Sequence, residues 1–125
     1  RDDTFLLGDR HVPLRGRDHV VDRRDGLVFR ISAGSFYQIH RDAHALLYRR
    51  ALELCGSVRD REVVDGCGGV GGFALRLARA GANVTLVENN ASAVRDAQHN
   101  VRANGLERVR IVAAPFATAE FAAEP

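Results

Sequence analysis

The spacing of apolar residues changes near residue 35 of this 125-residue chain. Before that point, short runs rich in β-branched residues, such as "DHVVD" and "GLVFRIS", are separated by turn-forming stretches such as "RRDG". Short β-rich runs with Gly and Asp between them are typical of β-hairpins. We therefore predict a β-rich N-terminal segment over residues 1–34, with antiparallel strands that also include "TFLLG" and "HVPL".

Helical spacing begins after "SAGSFYQI". In "HRDAHALLYRRALELC" the apolar residues recur every three or four positions, and Gly56 follows as a stop. This pattern predicts an amphipathic helix whose apolar face consists of Ala43, Leu46, Leu47, Ala51 and Leu54. Cys55, at the end of the same run, is expected to be a small core residue.

Strands and helices alternate over the rest of the chain. The order is strand "REVVD", helix "GFALRLARAG", strand "NVTLVE", helix "ASAVRDAQHNVRANG" and strand "VRIVAA". Such alternation indicates βαβ crossovers and a three-stranded parallel sheet with helices on its faces. Asn90 is placed to cap the last helix, while Gly81 and Gly105 end the two helices. The predicted fold class is α/β.

Composition limits the class of protein. The chain is 46% apolar and 27% charged, which suits one modest globular domain. It contains no apolar run long enough to cross a bilayer and no leader-like start, so we expect no membrane partner and a cytoplasmic location. The chain begins with Arg1 and has no Met, so we expect it to be part of a longer protein.

The residues that commonly bind metals are scattered. Cys55 and Cys67 are too far apart in sequence for a zinc pattern, and the histidines lack the spacing of metal ligands. We therefore predict no metal site. The expected surface or capping histidines are His11, His19, His44 and His99, whereas His40 either starts a helix or contacts a substrate.

All 18 basic residues are Arg, which suits phosphate binding but equally reflects a coding bias.

The stretch "VVDGCGGVGG", residues 63–72, ends a predicted strand and opens a predicted helix. The carboxyl ends of parallel strands and the N-termini of helices are the places where α/β sheets bind ligands. Glu88 ends the next strand, where a carboxylate can accept hydrogen bonds from both hydroxyls of a ribose. The two features together favour a cofactor that contains adenosine. The alternative is that the glycines only form a tight turn and that Glu88 is a solvated acid.

Two cofactors remain possible at this turn. Gly66, Gly68 and Gly71 match the dinucleotide pattern G-x-G-x-x-G, which permits a nicotinamide cofactor. Asp65 argues against it, because a carboxylate there repels a pyrophosphate but attracts the ammonium group of S-adenosyl-L-methionine. The residues therefore favour S-adenosyl-L-methionine.

Four stretches together resemble a known family. In chain order, "FRISAGSFYQIHRDAHALLY", "VVDGCGGVGGFALRLA", "VTLVENNASAV" and "AQHNVRANGLERVRIV" are similar to motifs of the class I methyltransferases that methylate carbon 5 of uridine in RNA. The resemblance extends from about Leu27 to about Val112. It implies a partial Rossmann-like class I methyltransferase sheet over residues 35–125, S-adenosyl-L-methionine as cofactor, and RNA as partner.

The resemblance also implies which residues hold the cofactor. They are Gln38, Asp65, Cys67, Gly69, Gly71, Gly72 and Glu88. Gln38 reaches the cofactor, Asp65 and the loop around Gly69 and Gly71 hold its methionine part, and Glu88 holds the ribose. Cys67 stands where the family often has an aromatic residue, and Gly72 stands at a position where a small or polar residue contacts the cofactor.

The sequence departs from the family pattern at three positions. His40 replaces an Asn, Gly68 replaces a Cys, and Pro115 stands where an acid or amide contacts the adenine. By contrast, Asn100 and Asn104, followed by Gly105, match the family's N-x-x-x-N-G helix end.

The family's chemistry needs a cysteine thiolate that attacks carbon 6 of uracil and a base that later removes the proton from carbon 5. The resemblance assigns neither role to Cys55 or Cys67, so no catalytic residue is predicted and the chain alone is expected to be inactive. The predicted function is the cofactor-binding part of an RNA uridine C5-methyltransferase. The alternatives are a non-catalytic S-adenosylmethionine-binding module and a methyltransferase for a different acceptor.

Overall fold

The computed structural model describes residue 12 and residues 14–120. Its elements, in chain order, are β1 (His19–Arg24), β2 (Leu27–Ser32), α1 (Arg41–Cys55), β3 (Glu62–Gly66), α2 (Gly72–Arg79), β4 (Asn83–Glu88), α3 (Ala91–Ala103) and β5 (Val109–Ala113). A short 3-10 turn, Phe116–Thr118, follows β5. The predicted strand in "TFLLG" lies outside the described residues, and the described residues of "HVPL" form no strand.

Strands β1 and β2 form the antiparallel hairpin that the sequence predicts. Its turn consists of Asp25 and Gly26, both with positive φ, at 53° and 73°. A two-residue Asp-Gly loop with positive φ at both positions matches the right-handed twist of the two strands. Leu27, Phe29 and Ile31 alternate along β2 and are buried, so one face of the hairpin belongs to the core.

The three remaining strands form a parallel sheet in the order β3, β4, β5. Helix α2 connects β3 to β4, and α3 connects β4 to β5. The central strand β4 buries Val84, Leu86 and Val87, as expected for a strand covered on both faces. This arrangement confirms the predicted α/β class with a partial Rossmann-like parallel sheet and a small antiparallel region before it.

Helix α3 joins the hairpin to the parallel sheet through three polar side chains spaced four residues apart. In the hairpin, the N–H and C=O groups of alternate β2 residues point away from β1. Two side chains of α3 and that of its C-cap residue, Asn104, bond those groups, in the pairs Asp96 with Ser32, Asn100 with Arg30 and Asn104 with Val28. These side chains therefore provide partners for backbone groups at the outer edge of β2, as a further strand would.

One hydrophobic core spans both sheets. It includes Leu27 and Phe29 of β2, Leu75 of α2, Leu86 of β4 and Ala97 of α3. The sequence segments 1–34 and 35–125 therefore share a core where the structure describes them.

Helix α1 is present as predicted, and His40 caps its start: the Nδ1 of His40 accepts the backbone N–H of Ala43 at 3.2 Å. The expected apolar face is wrong. His44 and Tyr48 are buried, with 2% and 7% of their surfaces exposed, because they pack in a row of rings with Tyr37 and Phe73. The leucines of the predicted face, Leu46, Leu47 and Leu54, are exposed.

Two smaller expectations about α1 are also wrong. His44 was expected at the surface, but the ring row encloses it. Cys55 was expected in the core, but it is exposed at the end of the helix, next to the exposed Leu54. Both follow from the rotation of α1, which turns its aromatic side inward.

The longest described helix, α1, has 15 residues, and a membrane-spanning helix needs about 20. Across residues 12 and 14–120 no helix is long and apolar enough to cross a membrane. The same residues include no group of three or more His, Cys, Asp or Glu side chains that could hold a metal ion.

Candidate functional site

The glycine-rich loop, residues 67–71, lies between the carboxyl end of β3 and the start of α2. Backbone hydrogen bonds shape it: Gly68 donates to the carbonyl of Val87, and Gly71 donates to the carbonyl of Gly68, both at 2.9 Å. Asp65 and Glu88 stand near the carboxyl ends of the adjacent parallel strands β3 and β4. The structure thus brings both predicted carboxylates to the same edge of the sheet, beside the loop.

Two glycines of the loop have conformations that other residues rarely adopt. Gly71, with φ of 98°, precedes the first residue of α2, and a Cβ there would overlap the side chain of Leu75. Gly69 has φ of 56°, and a Cβ there would meet nothing nearer than the Phe36 carbonyl oxygen at 3.7 Å. A Cβ at Gly69 would therefore be in ordinary van der Waals contact with Phe36, and it is the positive φ that favours glycine at this position.

Asp65 holds the start of α2. Its Oδ2 accepts the backbone N–H of Ala74 at 2.9 Å, in the first turn of the helix. The residue that precedes the helix, Gly71, has no side chain to do this, so Asp65 supplies the cap from the neighbouring strand. Burial raises the pKa of Asp65 to about 6, and the nearby charge of Glu88 adds to the increase, against the opposing hydrogen bond from Ala74.

A carboxylate with a raised pKa is one whose charge is poorly compensated by its surroundings. A cation placed beside Asp65 would therefore be attracted more strongly than by a solvated acid. The ammonium group of an amino acid fits this requirement.

Glu88 ties the loop to the end of β4. Its Oε2 accepts the N–H of Gly69 at 2.9 Å, and its Oε1 accepts the N–H groups of Asn89 and Asn90 at 2.8 Å each. An ionised carboxylate offers about four acceptor positions, so these three donors leave room for another. The side chain is only half-buried and remains accessible to a hydroxyl donor.

Gln38 lies in the segment that precedes α1 and is exposed. That segment reaches the same edge of the sheet at two points: the Phe36 carbonyl lies beside Gly69, and the Gly34 carbonyl accepts Asn90 Nδ2 at 3.1 Å. The structure therefore places the chain around Gln38 next to the loop.

Cys67 and Gly72 differ from the other predicted residues. Cys67 is exposed and has φ of 59°, so it does not pack in the core. Gly72 is buried as the first residue of α2, and a Cβ there would overlap the hydroxyl of Tyr48. A side chain at position 72 would thus point toward α1.

The sequence model of the family described as "Methyltransferase small domain" matches residues 27–122. The chain belongs to this family. Among curated relatives of this methyltransferase domain, a Halalkalibacterium halodurans protein named as an uncharacterized RNA methyltransferase is 34% identical over 107 residues. The match covers 86% of this chain and 23% of that protein. The chain thus spans about a quarter of the length of the curated relatives it matches.

Solved structures share the fold of this domain. The 16S rRNA N2 G1207 methyltransferase of T. thermophilus, in complex with AdoMet and guanosine, is 32% identical with a TM-score of 0.68. The match covers 87% of this chain and 31% of that one. The Pyrococcus abyssi tRNA (uracil-54, C5)-methyltransferase, in complex with S-adenosyl-L-homocysteine, is 26% identical with a TM-score of 0.65, over 78% of this chain and 24% of that one.

Sequence analysis missed an aromatic residue at this edge of the methyltransferase domain. The ring of Phe116, in the turn after β5, packs against Gly66, where a Cβ would lie 2.8 Å from the ring. The sequence pattern pointed only to the neighbouring Pro115, which precedes the turn and is exposed. The usable signal was an aromatic residue three positions after a parallel strand, on the side where ligands bind.

Proposed function

We propose that this methyltransferase domain binds S-adenosyl-L-methionine and is part of an RNA methyltransferase. One observation carries the proposal: Asp65 and Glu88 flank the glycine-rich loop near the ends of adjacent parallel strands. The residues fit the cofactor, because the buried Asp65 carboxylate is paired with no cation among the described residues, and the Glu88 carboxylate has room for a hydroxyl donor. Bound there, the cofactor would supply an electrophilic methyl group on its sulfonium.

The roles we assign follow the chemistry of each group. Asp65 would attract the cofactor's ammonium group, directly or through water, while it keeps the first turn of α2 in place. Glu88 would accept a ribose hydroxyl at the acceptor position that Gly69, Asn89 and Asn90 leave free. Gly69 and Gly71 would allow the loop backbone to approach the methionine part.

The remaining residues border the same space. Gln38 would reach the cofactor from the segment before α1, whose backbone already lies beside Gly69. Cys67 would contact the cofactor through its exposed side chain, whereas Gly72 would contribute its backbone, since its Cβ direction points to Tyr48.

We propose RNA as the partner and carbon 5 of uridine as the acceptor, in the cytoplasm. The four motifs quoted above support this acceptor, and so does the shared fold with the tRNA (uracil-54, C5)-methyltransferase. The thiolate and the base that this reaction needs are not assigned to any residue of this chain.

A second acceptor has specific support. The T. thermophilus enzyme, at 32% identity the more similar of the two solved structures above, is a 16S rRNA N2 G1207 methyltransferase. Guanosine N2 is a different kind of nucleophile, an exocyclic amine, and needs no thiolate addition. Incubating the protein that contains this domain with RNA and labelled cofactor, then identifying the labelled nucleoside by mass spectrometry, distinguishes 5-methyluridine from N2-methylguanosine.

Cofactor binding is tested by isothermal titration calorimetry with S-adenosylhomocysteine. We expect the unmodified protein to bind it, and Glu88→Gln to weaken binding about tenfold or more, because hydrogen bonds to a charged acceptor contribute about 1.5–3 kcal/mol each. Glu62→Gln is the matched control, because Glu62 lies at the opposite end of β3, where it is exposed and bonds Asn83. Absence of binding by the folded, unmodified protein would overturn the proposal.

A further inference from the structure

Arg76 is an unusual residue for the interior of this domain. Only 4% of its surface is exposed, although it carries a permanent positive charge. Its guanidinium stacks over the ring of Tyr48 at 4.1 Å and over that of Phe29 at 5.3 Å. A buried cation is costly unless it is paired and hydrogen-bonded, so its partners explain its place in the fold.

The partners of Arg76 lie on two sides. One guanidinium nitrogen, Nη2, donates to the Asp25 carboxylate at 2.8 Å, and the pKa of Asp25 is lowered chiefly by this hydrogen bond. The other, Nη1, donates to the carbonyl of Gly72 at 2.7 Å. Asp25 forms the tip of the β1–β2 hairpin, and Gly72 is the first residue after the glycine-rich loop. One side chain therefore links the hairpin tip to the end of the loop.

The loop needs such a link because its own residues restrict it little. Three of its five residues, Gly68, Gly69 and Gly71, are glycines, which have the largest backbone freedom to lose on ordering. Asp65 and Glu88 hold it from the sheet side through Ala74 and Gly69. Arg76 holds the opposite side, where Tyr48 also packs against Gly72.

We infer that Arg76 is a positioning residue for the glycine-rich loop, and that Asp25, at the hairpin tip, supports the loop by holding Arg76 in place. This inference rests on the proposed binding of S-adenosylmethionine. The planar guanidinium has fixed donors that reach Gly72 and Asp25 together, which the single point charge of a Lys cannot reproduce. Arg76 would therefore set the orientation of the first turn of α2 without touching the cofactor.

The test compares two arginines that both reach Asp25. Arg79 belongs to the same helix, is exposed, and donates to the backbone carbonyl of Asp25, so its hydrogen bond leads to the hairpin and not to the loop. We would measure S-adenosylhomocysteine affinity by calorimetry for Arg76→Lys, Asp25→Asn and Arg79→Lys. The titrations are run at a temperature where circular dichroism shows that every variant is folded.

We expect Arg76→Lys to weaken binding about tenfold and Asp25→Asn to weaken it less, because each loses the charge-assisted bond between Arg76 and Asp25 that orders the loop. Arg79→Lys keeps this bond, so we expect its affinity to stay within about twofold. Amide NMR shifts of Gly69, Gly71 and Gly72 in the ligand-free protein provide a second readout. We expect these shifts to change in Arg76→Lys and to stay constant in Arg79→Lys.

Equal affinity in all variants, or unchanged glycine shifts in Arg76→Lys, would overturn the inference. If the unmodified protein bound no S-adenosylhomocysteine, the proposed function would fail. The glycine shifts would still decide whether Arg76 orders the loop.

Discussion

The side-chain amide of Asn100 bonds the backbone of Arg30 in both directions, accepting its N–H at 2.6 Å and donating to its carbonyl at 3.1 Å. The same amide nitrogen donates to the carbonyl of Val70 at 3.0 Å, within the glycine-rich loop. A single fully buried side chain thus connects the outer edge of the hairpin with the candidate cofactor site. This gives the Asn of the N-x-x-x-N-G motif a structural reason that is independent of any ligand.

We expect Asn100→Ala to lower the free energy of unfolding by about 2–4 kcal/mol, because it leaves buried backbone groups of Arg30 and Val70 without partners. Urea denaturation followed by circular dichroism measures the change. Gln98→Ala is the control on the same helix, since Gln98 is exposed and should shift stability by no more than about 0.5 kcal/mol. Equal urea midpoints for the two variants would contradict the assigned role of Asn100.

Much of the fold follows from local pattern. The Asp25-Gly26 turn is visible in "RRDG" because few dipeptides accept positive φ at both positions. The parallel strands are visible because apolar strand runs alternate with helical runs, and Asn90 caps the helix between the last two strands. The placement of Asp65 and Glu88 at one edge then follows from the topology of parallel strands alone.

The face of α1 could not be predicted in the same way. Apolar periodicity favoured Leu46, Leu47 and Leu54, but the structure turns His44 and Tyr48 inward. The reason lies in long-range partners: the buried guanidinium of Arg76 stacks on Tyr48, and the Tyr37 ring lies against His44. Contacts with residues distant in sequence leave no periodic pattern within α1, so its buried face could not be predicted from apolar spacing.

We expect Asp65→Asn to raise stability at pH 8 by up to about 3 kcal/mol, since the pKa rises from 3.8 to about 6 and one pKa unit corresponds to about 1.4 kcal/mol. The folded-state pKa of Asp65 lies above its ordinary value of 3.8, so folding favours the protonated form. That contribution is fully present below pH 3.8 and is lost as the pH rises through about 6. Asn removes the charge and can still accept the N–H of Ala74, so the cap is kept.

The same substitution should weaken S-adenosylhomocysteine binding about tenfold, because the ammonium group loses its counter-charge. Chemical denaturation at pH 8 and calorimetry on the same samples measure both effects. A variant that is less stable than the original protein would show that the charged form of Asp65 is not the unfavourable one. A variant of unchanged affinity would remove Asp65 from the ammonium site.

The raised pKa of Asp65 also predicts how binding depends on pH. The ammonium group of S-adenosylhomocysteine favours the ionised Asp65 carboxylate, so we expect the affinity for this ligand to fall as the pH drops below about 6. 5′-Methylthioadenosine carries the same nucleoside without the amino acid part, and its affinity should stay nearly constant over the same range. Titrations of both ligands between pH 5 and pH 8, roughly the range around this pKa, provide the comparison. Equal slopes for the two ligands would assign the pH dependence to another group.

We expect this chain, by itself, to transfer no methyl group to carbon 5 of uridine. That carbon is a poor nucleophile until a thiolate adds to carbon 6, and a base must later remove its proton. In our proposal Asp65 and Glu88 hold the cofactor, and neither of the two cysteines is assigned the attack. The measurement is tritium transfer from labelled S-adenosylmethionine to unmodified RNA, with an active uridine methyltransferase as positive control. Label on carbon 5 that disappears in Cys67→Ser would overturn this expectation and assign the attack to the exposed cysteine of the loop.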